Sequence, residues 1–152
     1  MDWFNYIGLI IIVVIIIPNI VFAIRNKDSF NNVYKNKILE ISEQLGRYGC
    51  LFFMVFNVPC TYFNFWFINA KFTYIIVNSL LSLTYLVCWA IFWKKNNLAR
   101  ALWLSILPSC IFIFSGVMLL NVPLIVFSLI FATSHILISV KNELLINFKE
   151  FS

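Results

Sequence analysis

The chain has 152 residues and a net charge of +5, and 62% of its residues are hydrophobic while only 11% are charged. A soluble globular domain carries about 25% charged residues, so the composition excludes a soluble single domain. It also excludes a disordered chain, because disordered chains contain too few apolar residues to form a core. The sequence therefore predicts an all-α integral membrane protein.

Four uncharged runs separate the charged residues, and the first three each have the length of one membrane-spanning helix. About 20 apolar residues cross the hydrocarbon core of a bilayer. The fourth run, 101–140, is twice as long as one crossing and must turn back. We expect the turn at Asn121-Val122-Pro123, since Asn favours turns and the residue before a proline avoids helical geometry. Five spans are therefore predicted: 3–24, 47–69, 72–93, 101–120 and 123–140.

The loop between the first two predicted spans contains an amphipathic pattern. Apolar residues recur there at spacings of three and four, with Asn, Lys and Glu between them, as expected for one face of a helix. They are Phe30, Val33, Tyr34, Ile38, Ile41 and Leu45. The sequence thus predicts an amphipathic helix over 30–45 that lies on the cytoplasmic face of the bilayer.

The basic residues predict the orientation of the chain. Of the eleven Lys and Arg residues, only Lys71 falls on the opposite side of a five-span arrangement from the others. Basic residues concentrate in cytoplasmic loops. The prediction is a multi-pass protein of the cytoplasmic membrane, with its N-terminus outside and its C-terminus inside.

Neutral polar residues inside the predicted spans form a first candidate group. Counting from the cytoplasmic charges places Asn57 level with Thr84, and Asn64 level with Asn78, on two neighbouring antiparallel spans. Each pair is expected to form a hydrogen bond between helices, worth about 0.6 kcal/mol. The alternative is that these groups line a ligand site.

A second candidate group lies near the cytoplasmic face and predicts a polar pocket. Glu43 precedes Arg47 by four residues, a spacing that favours an ion pair. Six residues are expected to gather there: Asn19, Glu43, Arg47, Ser134, His135 and Asn142. The alternative is that His135 is neutral and structural, with its hydrogen bonds satisfied by Asn19 or by a backbone carbonyl.

The sequence predicts no metal site, no cofactor and no nucleic-acid partner. Zinc usually requires four ligands from Cys, His and carboxylates, whereas this chain has one histidine and no Cys-x-x-Cys pair. An isolated Cys in a membrane helix packs as a small apolar residue. The expected partners are the lipid bilayer and either a second copy of the chain or another membrane protein.

Three functional classes remain open from the sequence. The first is a non-enzymatic protein that binds a small or lipidic ligand, or an accessory subunit of a transport system. The second is a membrane-interface enzyme acting on lipid or isoprenoid substrates, with His135 as general base and Glu43 or Arg47 placing the head group. The third is an immunity or scaffold protein. An enzyme predicts that Asn19, Glu43 and His135 converge on one cavity, and a scaffold predicts a long apolar groove.

Overall fold

The computed structural model describes residues 3–25, 34–93 and 97–150, without the side chains of 147–150, and over this part of the chain it contains five α-helices. They are α1 (Tyr6–Arg25), α2 (Lys37–Val55), α3 (Ala70–Phe92), α4 (Leu98–Leu119) and α5 (Val122–Glu150). Four stretches are long and apolar enough to cross a membrane: α1, α3, α4 and the Val122–Ile146 part of α5. The chain is therefore a small multi-pass membrane protein.

The prediction of five spans plus a separate interfacial helix is wrong, because α2 takes the place of two predicted elements. This helix begins at Lys37, where the Asn36 side chain accepts hydrogen bonds from two backbone N–H groups, and it continues without a break to Val55. It joins most of the predicted interfacial helix to the first part of the predicted span 47–69. Residues 30–33 of that interfacial helix lie outside the described residues. The charged first half of α2 keeps it from being a candidate span.

Residues 56–69, which we call the 56–69 segment, are not helical, contrary to the prediction. The backbone N–H of Asn57 donates to the carbonyl of Trp3 at 2.9 Å, and Val122 N–H donates to the carbonyl of Thr61 at 3.1 Å. Pro59 also disfavours helical geometry at the residue before it. The segment links α2 to α3 along the chain. Through these hydrogen bonds it also contacts the residues before α1 and the turn between α4 and α5.

The chain leaves α4 and enters α5 where the Asn121-Val122-Pro123 sequence predicts a turn. Leu120 adopts a left-handed conformation with φ 45°. Asn121 precedes the next helix and caps its start, because its Oδ1 accepts from the backbone N–H of Leu124 at 3.1 Å. Its Nδ2 donates to the carbonyl of Phe53 at 3.0 Å, which ties this turn to the end of α2.

Helix neighbours in the bundle follow the ring order α1, α3, α4, α5, α2 and back to α1. The end of this ring that carries Arg25, Lys37, Arg100 and Lys141 is called the basic end. The 56–69 segment and Lys71 lie at the opposite end. The ring leaves space at the basic end that all five helices border.

Outward side chains of the bundle are apolar, as a lipid-facing surface requires. Ile10, Ile17 and Ile24 of α1, Leu80 of α3 and Leu129 of α5 are each more than half exposed. A soluble protein rarely exposes contiguous apolar surface of this extent. The arrangement therefore agrees with insertion into a bilayer.

Glycines bring α2 and α5 into close contact. A Cβ on Gly46 would lie 2.7 Å from the backbone nitrogen of Phe131, and one on Gly49 would overlap the ring of Phe127. Small residues let membrane helices approach closely and pack without a hydrophobic driving force. This approach brings the charged half of α2 against α5.

Candidate functional site

A cavity of about 540 Å³ opens at the basic end of the bundle, and all five helices contribute to its walls. Ligand pockets in proteins are commonly about 300–1,000 Å³, with mostly apolar walls and a few polar groups. Apolar side chains such as Ile15, Leu104 and Phe112 form most of the lining. The polar lining residues are Asn19, Arg47, Tyr85, Arg100, Ser105, His135, Ser139 and Glu143. The site is therefore amphiphilic in character.

His135 lines the cavity and is held from behind by Glu43. The His135 Nδ1 lies 2.8 Å from Glu43 Oε1, and the ring of Phe131 stacks on the imidazole with centroids 4.7 Å apart. Whenever the imidazole is neutral, a carboxylate that accepts from Nδ1 leaves Nε2 as the acceptor. Glu43 is itself buried and is not part of the cavity wall.

Glu43 is also paired with Arg47, one turn later on α2. Burial alone would raise the pKa of the Glu43 carboxyl, but the hydrogen bond from His135 and the charges of His135 and Arg47 together bring it below its ordinary value. The carboxylate is thus charged at neutral pH. The Arg47 side chain is 47% exposed and borders the cavity.

Asn19 lies on the opposite wall, where it joins α1 to α3. Its Nδ2 donates to the carbonyl of Ile15 at 3.1 Å, one turn earlier. Its Oδ1 accepts from the hydroxyl of Tyr85 at 3.1 Å. Asn19 and His135 therefore line one cavity but bond to different partners, and Tyr85, not His135, is the hydrogen-bond partner of Asn19.

Arg100 enters the cavity from the first turn of α4. Its guanidinium lies 4.3 Å from the ring centre of Phe22 and 5.6 Å from that of Trp89. Such cation–π contacts favour a fixed position for the cation. Glu143 of α5 borders the same space. The site thus contains a second guanidinium, held by rings from α1 and α3.

Two predicted pocket residues lie outside the cavity wall. Ser134 is buried, and its hydroxyl donates to the carbonyl of Ile130 at 2.6 Å within its own helix. Asn142 lies nearer the end of the bundle, where its Oδ1 accepts from the backbone N–H of Tyr34 at 2.8 Å. The structure thus places Asn19, Arg47 and His135 around the cavity, with Glu43 directly behind.

Sequence reasoning missed Tyr85, Trp89, Arg100 and Glu143 as lining residues. In the sequence, Arg100 and Glu143 are among the charges that flank the fourth uncharged run. The distance of a residue along the chain from a charge at the end of a span indicates its depth in the membrane. It does not indicate which side of a helix faces inward. The spacing of Tyr85 and Trp89, one turn apart on α3, is the signal that could have identified that face.

The predicted interhelical polar residues have other partners in the structure. Asn78 accepts from the hydroxyl of Ser115 on α4 at 3.3 Å. Thr84 donates to the carbonyl of Leu80 in its own helix at 2.8 Å. Asn57 and Asn64 belong to the 56–69 segment, where Asn64 accepts from the hydroxyl of Tyr62. The expected pairs depended on a second span that ends before it reaches them.

Among the side chains of residues 3–25, 34–93 and 97–146, no group of three or more His, Cys, Asp or Glu could hold a metal ion. Comparison of the chain with protein-family models, with curated proteins and with solved structures finds no match. The chemistry of the cavity is therefore the basis for a functional proposal.

Proposed function

We propose that the protein binds an amphiphile with an anionic, phosphate-type head group in the cavity at the basic end, without transforming it. The observation that carries this proposal is the pair of guanidinium groups, Arg47 and Arg100, on a cavity whose walls are mostly apolar. Guanidinium groups bind phosphate oxygens through paired hydrogen bonds. Apolar side chains of α1 and α4 are suited to an acyl or isoprenoid chain.

The number of N–H donors on Arg47 supports a head group with this chemistry, although the Glu143 carboxylate also lines the cavity. The ion pair between Arg47 and Glu43 uses Nη2 of the guanidinium, and a guanidinium has five N–H donors. Further basic residues, among them Lys141, lie at the same end of the bundle. Anionic lipid head groups are attracted to such clusters at membrane surfaces.

Lipid retention tests the proposal directly. The purified protein would be loaded in detergent with dioleoyl-phosphatidylglycerol or dioleoyl-phosphatidylcholine, and retained lipid would be measured by native mass spectrometry. We expect the anionic lipid to be preferred, and Arg100→Gln to weaken its binding about tenfold, because a charge-assisted hydrogen bond contributes about 1.5–3 kcal/mol.

Arg25→Gln is the matched control, since Arg25 lies at the same end and is exposed but does not line the cavity. It removes the same charge and should leave retention within about twofold. Equal retention of the two lipids by the unmodified protein, or an equal loss in both variants, would contradict the proposal. Circular dichroism confirms that each variant is folded.

A second candidate function is a membrane-interface enzyme acting on lipid or isoprenoid substrates, and the Glu43–His135 contact of 2.8 Å favours it. A carboxylate that fixes the tautomer of a histidine is one element of general-base catalysis. Here His135→Gln, which keeps hydrogen-bonding capacity but cannot titrate, should end turnover while binding persists. Full activity of that variant would leave only the binding role.

We further propose that the basic end faces the cytoplasm and that the N-terminus lies outside. Basic residues at α1, α2, α4 and α5 share one end of the bundle, and Lys71 lies at the other. This asymmetry follows the rule that cytoplasmic loops are enriched in Lys and Arg.

Native cysteines provide a test of this orientation. Cys60 is exposed in the 56–69 segment, Cys50 is buried, and Cys88 and Cys110 lie within candidate spans. A charged, membrane-impermeant maleimide added to intact bacterial spheroplasts should label the chain, and Cys60→Ser should abolish the labelling. Labelling that appears only after the membrane is permeabilised would show the inverse orientation.

A further inference from the structure

A row of polar side chains continues from the cavity into the core of the bundle. On α3 the buried face includes Tyr74, Asn78, Ser82 and Tyr85 at spacings of three and four residues. From Tyr74 to Tyr85 this face covers about 16 Å at the helical rise. We call it, with its partners on α1 and α4, the polar seam: Asn5, Tyr74, Ser115, Asn78, Ser82, Tyr85 and Asn19.

Both ends of the polar seam are hydrogen-bonded. At the cavity, Tyr85 donates to Asn19 at 3.1 Å. Near the opposite end, Asn5 Nδ2 donates to the Tyr74 hydroxyl at 3.4 Å. Ser115 lies beside this hydroxyl and donates to Asn78 Oδ1 at 3.3 Å. The series of contacts therefore runs from each end toward the middle of α3.

In the middle of the polar seam, two buried polar atoms have no hydrogen-bond partner among the described residues. They are Asn78 Nδ2 and Ser82 Oγ, one helical turn apart, in side chains that are 0% and 6% exposed. Leaving a buried donor or acceptor unsatisfied costs about 1–3 kcal/mol. Such atoms in native proteins are therefore nearly always satisfied by another polar group or by bound water.

Ser82 also differs from most other buried serines in how its hydroxyl is placed. A buried helical serine commonly donates to a carbonyl three or four residues earlier in its own helix. Four of them in the described part of the chain do so: Ser105, Ser109, Ser128 and Ser134. Ser115 instead donates across to Asn78, and Ser82 makes neither kind of bond. Both exceptions lie in the polar seam.

We propose that water is bound between Asn78 Nδ2 and Ser82 Oγ, and that it links the Tyr85–Asn19 pair at the cavity to the Asn78–Ser115 pair. A buried water typically makes about three hydrogen bonds to groups of this kind. The polar seam then forms a hydrated path from the cavity toward the 56–69 segment, through the part of the bundle enclosed by α1, α3 and α4. This path is independent of what the cavity binds.

Radiolytic labelling in isotopically labelled water tests for the bound water. Brief irradiation of the whole protein in lipid nanodiscs generates hydroxyl radicals from water, including bound water, and mass spectrometry locates the modified side chains. Tyr74 is 0% exposed and does not line the cavity, so contact with bulk water cannot account for its modification, whereas Tyr85 also borders the cavity. We expect both to be modified, and Asn78→Leu to reduce that modification several-fold. Unmodified tyrosines in the native chain would overturn the proposal.

The sign of a stability change provides an independent test that does not rely on the leucine variant. If Ser82 Oγ has no partner, Ser82→Ala removes an unsatisfied group and the Tm rises. If water is bound, the same change breaks a hydrogen bond and the Tm falls by about 3 °C. We expect the fall, and a rise would overturn the proposal. Thr84→Val is the matched control on α3, because its hydroxyl bonds within the helix and lies outside the polar seam.

Discussion

Replacing Gly46 by valine is expected to lower the free energy of unfolding by about 3 kcal/mol, which for a chain of this size corresponds to a Tm about 9 °C lower. A Cβ at this position would lie 2.7 Å from the nitrogen and 2.8 Å from the Cα of Phe131. These are backbone atoms, so no side chain can rotate away to make room. The helices α2 and α5 must separate, and thermal unfolding in detergent measures the loss.

Leu45→Val is the control for this prediction. It introduces the same β-branched side chain one residue earlier, at a position that is 56% exposed. Replacing leucine by valine lowers helix propensity whereas replacing glycine by valine raises it, so a loss confined to the Gly46 variant cannot come from propensity. We expect its Tm to lie within about 2 °C of the unmodified protein. If the two variants unfold at the same temperature, the close approach of α2 and α5 at Gly46 is not a determinant of stability.

Glu43→Gln is expected to destabilise the protein by about 2 kcal/mol at pH 7, because it removes the charge that holds His135 and Arg47. Glutamine keeps the size of the side chain and one acceptor, so packing is nearly unchanged. The loss of stability therefore measures the removed charge and not a defect in packing. Unfolding of both proteins by heat, followed by circular dichroism, measures the difference.

The pH dependence of that difference has a definite sign. The contacts with His135 and Arg47 hold the pKa of Glu43 below its ordinary value despite its burial. A carboxyl group with a lowered pKa in the folded state stabilises the protein above the pKa of the unfolded chain, about 4.3 for Glu. The stabilisation should therefore persist at neutral pH, decrease below about pH 4.3, and vanish once the folded carboxyl is protonated.

Glu40→Gln provides the comparison, since Glu40 lies one turn earlier on α2 and is only partly buried. It removes the same formal charge and should change stability by less than about 0.5 kcal/mol at pH 7. A pH-independent loss in Glu43→Gln, or an equal loss in Glu40→Gln, would show that the Glu43 charge does not hold this part of the bundle together.

The predicted polar pocket was partly accessible from sequence because axial depth can be counted along a helix. Asn19 lies six residues from Arg25, and His135 lies six from Lys141, so both were expected at one level near the basic end. The structure places both on the cavity wall. Ser134 lies at the same depth as His135, but its side chain points about 100° away around the helix axis. It therefore bonds within its own helix instead of lining the cavity.

The end of α2 could not be predicted from the local sequence. Residues 48–70 are uncharged and long enough to span a bilayer, which is the property that the prediction used. The helix instead ends at Val55, where its carbonyl accepts from the backbone N–H of Asn5 at 2.7 Å. That partner lies fifty residues earlier in the chain. Only the packing of α1 beside α2 supplies it.

The sequence by itself determined the membrane setting, the helical class, the break at Asn121-Val122-Pro123 and the concentration of basic residues. These follow from composition, charge spacing and local backbone preference. The tertiary structure decided the ring order of the helices, the continuity of α2, and the entry of Tyr85, Arg100 and Glu143 into the cavity. The physical reason is that uncharged runs fix where a helix sits along the membrane normal. Its rotation about its own axis, and therefore which residues meet, depends on the neighbours against which it packs.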